Sequence, residues 1–378
     1  MQLADLETPQ LILDRERLDR NIERLRTRLA PFGVSLRPHV KTNKSADVTR
    51  RLGGTDTPLT VSTLKEAEYF LDHGWRDILY AVGMAPSKLP HAERLIRRGA
   101  RLTIILDNEE TAEAVAAFAG ARGLDLPVLI EIDTDGHRSG VRPEDEALLR
   151  IGARLRGAPG QGAWLAGVLT HSGESYNCRS HEAIEACAEQ ERAGAVRAAE
   201  RLRADGHAAP VVSVGSTPTA HFARSLEGVT EVRAGVYVFF DLVMHGVGVC
   251  AVEDIALSVL CTVIGHQREK GWLITDAGWM AMSRDRGTAR QPVDQGYGLV
   301  CDEAGRLIPD LIMADANQEH GIVRHRGDPA LTPMLPVGTL LRIVPNHACA
   351  TAAQFGAYTV VAGGTEVQAN WPRFSGWA

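Results

Sequence analysis

The residues with the clearest chemical potential fall in three clusters. In Arg37-Pro38-His39-Val40-Lys41-Thr42-Asn43-Lys44 a lysine follows a short β-rich run. An amine held at the carboxyl end of a strand and shielded from water gives up its proton more readily and can attack an aldehyde. Taken alone, Lys41 reads more readily as a solvated surface lysine. The second cluster is Gly215-Ser216-Thr217-Pro218-Thr219, followed by Arg233-Ala234-Gly235-Val236-Tyr237. Hydroxyls and exposed backbone N–H groups at strand ends suit a phosphate, and although either motif alone is an ordinary turn, the pairing is harder to dismiss. The third is Val344-Pro345-Asn346-His347-Ala348-Cys349-Ala350-Thr351. If this stretch is extended, residues two apart share a face, so His347 and Cys349 converge on one ion, and imidazole with thiolate favours zinc. A single His-x-Cys is equally a buried thiol beside an unrelated histidine, and it offers fewer ligands than the three usual for catalytic zinc.

These clusters need a scaffold that brings strand ends together. The first helix is marked by Leu18, Ile22, Leu25 and Leu29, spaced four, three and four apart between charged positions. Strand-like runs follow at residues 34–40, 59–62, 77–82, 102–106, 127–132, 165–170, 210–214 and 229–232, separated by helical segments. Thr63 with Glu66 has the spacing of a capping box. Eight strands alternating with helices predict an α/β fold, a (β/α)8 TIM-type barrel, with chemistry at the strand carboxyl ends. A doubly wound sheet is the alternative, but the turn after the first run has no glycine. Runs at 255–266, 272–275, 340–344 and 358–361 predict a C-terminal β-rich domain. The expected division is a barrel over residues 11–244 and a β-rich domain with the metal pair over 245–378, residues 1–10 associating with the latter.

Composition narrows the function. The chain has 378 residues and a net charge of -6 with mixed signs, which disfavours nucleic-acid binding and points to a small-molecule substrate. It has no apolar run long enough to span a membrane, and residues 1–7 lack a basic or apolar leader, so a cytoplasmic location is expected. Six cysteines without a CxxC pair suggest reduced, mostly inert thiols.

The motifs Thr8-Pro9, Pro38-His39-Val40-Lys41, Asp133-Thr134-Asp135-Gly136-His137-Arg138-Ser139-Gly140, Thr170-His171-Ser172-Gly173, Gly215-Ser216-Thr217-Pro218-Thr219, Asp276-Ala277-Gly278, Gln318-Glu319-His320-Gly321 and Pro345-Asn346-His347-Ala348-Cys349 occur in this order across nearly the whole chain. Together they resemble the alanine-racemase-like (fold type III) pyridoxal-phosphate enzymes, in the D-serine dehydratase and D-threonine aldolase branch. The resemblance implies that Lys41 carries pyridoxal 5'-phosphate as a Schiff base. It implies too that His39, Arg138, His171 and Tyr176 surround the ring, and that Ser216, Thr217, Gly235, Val236 and Tyr237 hold the phosphate. Arg233 or Tyr176 would face the pyridine nitrogen, leaving it unprotonated because neither is an acid. His347 and Cys349 would bind a divalent metal, zinc first, with manganese, cobalt or magnesium as alternatives. Gln318 and His320 would approach the substrate, and a homodimer is expected.

The implied reaction is loss of water from a D-3-hydroxy amino acid, foremost D-threo-3-hydroxyaspartate to oxaloacetate and ammonia. D-Serine dehydration and retro-aldol cleavage are the alternatives. Branch aldolases tend to carry aspartate where Cys349 stands, which tips the expectation toward dehydration. A pyridoxal-phosphate-binding barrel without turnover is the non-enzymatic alternative, and the metal-like pair argues against a racemase. A second substrate carboxylate needs a cation, and Arg284 and Arg286 are the candidates, each reading alone as a surface arginine.

Overall fold

The computed structural model describes residues 1–377, and the chain divides into two units, residues 25–235 with the extreme C-terminus, and residues 1–24 with 236–375. The first strand, β1 (Gln10–Asp14), leads directly into α1 (Arg15–Leu29). The periodic residues Leu18, Ile22, Leu25 and Leu29 of α1 are all buried, as their spacing predicts.

The first unit is built on β2 (Ser35–Leu36), β3 (Leu59–Val61), β4 (Asp77–Gly83), β5 (Arg101–Leu106), β6 (Asp125–Ile132), β7 (Arg156–Ala158), β8 (Gln161–Thr170), β9 (Val211–Val214) and β10 (Glu231–Val232). Between them run α2 (Ala46–Leu52), α3 (Leu64–Asp72), α4 (Leu89–Arg97), α5 (Glu109–Arg122), α6 (Glu146–Arg154), α7 (His181–Ala204) and α8 (Thr217–Phe222). Apart from β7, an antiparallel flap on β8, the strands pair in parallel in the order β2-β10-β9-β8-β6-β5-β4-β3. The ring closes where Thr60 of β3 donates its N–H to Pro38 O and accepts the Val40 N–H, both at 2.9 Å, with His39 bridging Thr60 in parallel. The eight expected strands are therefore present, and every strand carboxyl end lies on one rim.

Leu79, Ile105, Leu129, Ala166 and Leu169, from four neighbouring strands, form one apolar cluster. Each such aliphatic side chain contributes on the order of 1.5–3 kcal/mol. Arg37, by contrast, is a largely buried cation at the start of the sheet, and pairs with Glu231 at 2.8 Å and Asp77 at 2.6 Å. The Thr63 hydroxyl caps α3 by accepting the Glu66 N–H at 2.9 Å. The return half of the expected capping box is different: the Glu66 carboxylate accepts from Ser62 N–H and pairs with Lys44 at 2.8 Å, because that cation reaches it from the turn after β2.

The second unit begins with the short helix α9 (Leu242–Val247) and then β11 (Leu257–Gln267), β12 (Trp272–Thr275), α10 (Trp279–Met282), β13 (Gly298–Asp302), β14 (Leu307–Ala316), β15 (Gly321–His325), β16 (Leu340–Pro345), α11 (Ala348–Ala352), β17 (Ala357–Val361) and β18 (Ala369–Pro372). The antiparallel path β11-β12-β15-β14-β13-β16 returns to β11, giving a small closed barrel. From β11 the sheet continues through β1 and β17 to β18. Leu3, Ile12, Leu260 and Val361 pack in its core.

By packing, the units divide at residues 24 and 235, whereas the sequence pattern changes at residues 10 and 244. The reason is the pairing of β1, which is antiparallel to β11 and parallel to β17. Apolar residues announce that strand, but nothing local announces its partners. Among the described residues, no helix is long and apolar enough to cross a membrane.

Gly167 sits where the β6–β8 register slips, with φ +149°, and a Cβ there would collide with the Val211 carbonyl of β9. Gly167→Ala is expected to destabilise the barrel by about 3 kcal/mol or more, lowering the thermal midpoint by roughly 6–12 °C in a calorimetric melt.

Candidate active site

The rim of the parallel barrel collects the first two clusters. Lys41 lies in the turn that leaves the sheet just beyond the His39–Thr60 bridge, and its side chain is exposed. The chain alone does not desolvate the amine as the sequence suggested, because the residue sits past the paired region rather than within it. The neighbouring imidazoles are more enclosed. Burial and the positive charges of Lys41 and Arg233 hold His39 well below the usual histidine range. Burial pushes His171 down to about 4, opposed by its hydrogen bond to Gly215 O and assisted by the charges of Lys41, Arg233 and Arg138. Both rings are therefore neutral near pH 7. Nδ1–H of His171 donates to Gly215 O at 3.0 Å, which leaves Nε2 as the acceptor.

Arg233 is 4% exposed and donates from Nη1 to Ser213 Oγ and from Nη2 to Thr170 O. Burial pushes it down to about 10, against the raising influence of Glu231 and Glu191. Tyr176 stands in a 3-10 turn, its ring centroid 6.1 Å from that of His171. Arg138 is exposed, reaches Glu131 at 3.4 Å, and with Asp133, Ser139 and His171 lines a recess beside β6.

After β9, the hydroxyl of Thr217 is buried without a hydrogen-bond partner among the described residues. Ser216 is already engaged: its N–H donates to Thr219 Oγ1 at 3.0 Å, and its hydroxyl meets Ser175 Oγ at 2.8 Å. Gly235 has no room for a side chain, since a Cβ would lie 2.9 Å from His39 O and 3.0 Å from Thr42 Oγ1. Val236 and Tyr237 follow it as buried residues of a 3-10 turn in the second unit. An accessible amine, two neutral imidazoles and a buried unpartnered hydroxyl on one rim fit an anionic aldehyde cofactor.

Glu191 of α7 is a residue that sequence reasoning missed. Its carboxylate, 2% exposed, accepts from Ser172 N–H at 2.8 Å, Gly215 N–H at 3.0 Å and the Thr219 hydroxyl at 2.8 Å. The available signal was an acid on the buried stripe of an amphipathic helix, in line with Ile184, Ala188, Ala195 and Leu202.

The third cluster lies in the second unit, and its backbone is not extended. β16 ends at Pro345, and His347 is the N-cap of α11, so His347 and Cys349 come together through a helical turn. Asn346 imposes the change of direction: its amide donates to Gly296 O at 2.7 Å and accepts the Thr288 N–H at 3.0 Å. His347 Nδ1–H donates to Asp285 Oδ2 at 2.6 Å, so Nε2 is the nitrogen that the geometry offers to a metal. Burial lowers the affinity of His347 for its proton, but the charges of Cys349, Asp285 and Asp241 outweigh it and raise the ring to about 11. Asp241, 1% exposed, ties the turn down by accepting Ala348 N–H at 2.9 Å.

Among the described residues no group of three or more His, Cys, Asp and Glu side chains is arranged to hold a metal. A soft nitrogen–sulfur pair in a negatively charged setting fits a divalent ion with coordination positions left over. Asp285 was also missed, although it lies between the two arginines already singled out.

Those arginines differ. Arg286 is paired with Asp294 at 2.7 Å and lies over Tyr297. Arg284 lies over Trp279 at 4.2 Å and has no carboxylate partner among the described residues. Gln318 and His320 are exposed in the loop between β14 and β15, where Asn317 O and Gln318 O accept the N–H groups of Trp279 and Met280.

Two known domains match this chain: the alanine racemase N-terminal domain over residues 13–243 and a putative serine dehydratase domain over residues 256–361. The chain is 57% identical to D-threo-3-hydroxyaspartate dehydratase of Delftia sp. (strain HT23), covering 99% of each. It is 29% identical to D-serine dehydratase of Dictyostelium discoideum, covering 95% of this chain and 94% of that one. A solved structure of a cysteine-to-alanine variant of D-threo-3-hydroxyaspartate dehydratase, in the metal-free form, superposes with a TM-score of 0.96 at 56% identity over 100% of both chains.

The depressed His171 has a consequence for stability. Between its ordinary value of 6.5 and about 4, the unfolded chain takes up a proton that the folded one refuses, so stability falls as pH drops through that window. His171→Gln is expected to flatten the pH dependence of the thermal midpoint between those limits in the cofactor-free protein. An unchanged slope overturns the assignment.

Proposed function

The chain belongs to the alanine-racemase-like family, in the branch that carries a serine dehydratase domain, and on that premise we propose that it removes water from D-threo-3-hydroxyaspartate, the released enamine then taking up one water to give oxaloacetate and ammonia. The observation that carries this reading is the 57% identity to a dehydratase of that substrate across 99% of both chains.

Pyridoxal 5'-phosphate, when bound, supplies an electron sink that makes the Cα proton removable. Lys41 would hold it, with His39, His171, Arg138 and Tyr176 toward its ring and Ser216, Thr217, Gly235, Val236 and Tyr237 toward its phosphate. Among these, the Thr217 hydroxyl is buried without a hydrogen-bond partner among the described residues, whereas the Ser216 hydroxyl is already engaged. Arg233 commits Nη1 and Nη2 to Ser213 and Thr170, which favours Tyr176 as the group opposite the pyridine nitrogen.

Lys41 Nζ takes the Cα proton of the substrate. His39 and His171 remain neutral and so add no second positive charge beside that amine. His347 and Cys349 would hold a divalent metal, zinc being the best match to imidazole and thiolate with manganese or cobalt next, and such an ion would contribute Lewis acidity to the loss of a hydroxyl. Asp285 orients the His347 ring through Nδ1. Arg284, 4.2 Å from the centre of the Trp279 ring and without a carboxylate partner among the described residues, is the cation suited to the substrate's second carboxylate. Arg286 is given over to Asp294.

Incubation with D-threo-3-hydroxyaspartate should release ammonia and oxaloacetate in equal amounts, and Lys41→Ala should reduce the rate by about 100- to 10,000-fold. Formation of glycine and glyoxylate instead identifies retro-aldol cleavage and overturns the reading.

Arg284→Ala should lower kcat/KM for D-threo-3-hydroxyaspartate by about 10- to 150-fold, the worth of a charge-assisted contact, and leave D-serine turnover unchanged. Equal losses on both substrates remove Arg284 from the carboxylate site.

A further inference from the structure

Glu191 occupies the buried stripe of α7, where an ionised carboxylate is unfavourable unless donors fill its lone pairs. Here the donors come from two different loops. Oε1 accepts Ser172 N–H at 2.8 Å, from the loop after β8, and Gly215 N–H at 3.0 Å, from the loop after β9. Oε2 accepts the Thr219 hydroxyl at 2.8 Å, one turn into α8. The same two loops are joined by Ser175 Oγ to Ser216 Oγ at 2.8 Å and by His171 Nδ1–H to Gly215 O at 3.0 Å. The loop after β8 carries His171 and Tyr176, and the loop after β9 carries Ser216 and Thr217. Removing the carboxylate leaves two backbone N–H groups without their acceptor and frees the β9 loop to shift. Gly215 cannot absorb that shift by gaining a side chain, since its φ is +135° and a Cβ would collide with the Arg233 backbone.

We infer that Glu191 is a positioning residue for the cofactor phosphate: by clamping the β8 and β9 loops together from behind, it fixes where Thr217 presents its hydroxyl. This rests on the reading that Lys41 carries pyridoxal phosphate with its phosphate at Ser216 and Thr217. Glu191 makes no hydrogen bond to the side chains assigned to the ring or to Lys41, whereas it bonds the Thr219 hydroxyl in the phosphate segment directly, so the larger effect falls on the phosphate end.

The test compares pyridoxal phosphate with pyridoxal, which lacks the phosphate, each titrated into the cofactor-free full chain. Binding is followed by the borohydride-reducible adduct on Lys41, alongside a thermal melt. Glu191→Ala should lose about tenfold or more of the preference for the phosphorylated form, with pyridoxal binding held within about threefold, as expected when one ordered hydrogen-bonding group is lost. Glu191→Gln should keep the preference within about threefold, because its amide oxygen can accept both N–H groups and its NH2 can donate to Thr219 Oγ1.

If Glu191→Ala fails to fold, Thr219→Val, which cuts one of the three ties, decides the matter by a several-fold loss of the same preference. Retention of the full preference in whichever of Glu191→Ala and Thr219→Val folds, or an equal loss in Glu191→Gln and Glu191→Ala, overturns the inference. A wild-type protein with no preference for the phosphorylated form overturns instead the phosphate placement on which it rests.

Discussion

The active rim of the parallel barrel depends on a narrow seam. β2 pairs with β10 over two residues only, and the ring is completed on the other side by Thr60 meeting Pro38 and Val40. Lys41 is the next residue after that closure. A lysine placed at the seam takes its position from hydrogen bonds that also decide whether the barrel is closed. The exposed amine is thus anchored by backbone bonds and not by packing around its own side chain.

Charge balance inside the barrel supports the same rim. Arg37 is neutralised by Glu231 and Asp77, and Glu231 also accepts from the Ser213 hydroxyl, which in turn receives Arg233. This chain of charges connects the start of the sheet to the cofactor end, and each member is satisfied by the next. The two neutral histidines owe their state first to burial, and the nearby positive charges of Lys41 and the buried Arg233 guanidinium make a further positive charge still less favourable.

Much of this was legible in the sequence, and the failures share a physical character. Period and alternation are local, so the first helix and the eight parallel strands were visible. Pairing partners are not local. β1 reads as a strand, but its place between β11 and β17 depends on residues far along the chain. The same holds for the metal pair, where Asn346 is turned by bonds to Gly296 and Thr288, so a segment that reads as extended becomes a helix start. Arg284 and Arg286 were indistinguishable until Asp294 was seen to take the second. Glu191 gave a signal in its helical position, yet its three donors lie in loops that only the fold brings together.

The placement of β1 also bears on the order in which the protein is made. Gln10–Asp14 leaves the ribosome well before its hydrogen-bonding neighbours, Leu257–Leu260 on one side and Thr359–Val361 on the other. Until they emerge, an apolar strand with two open edges must wait beside the growing polypeptide, the kind of surface that pairs wrongly with other chains. Its shortness limits that hazard during synthesis, and its neighbours seal it only after the whole parallel barrel has been made.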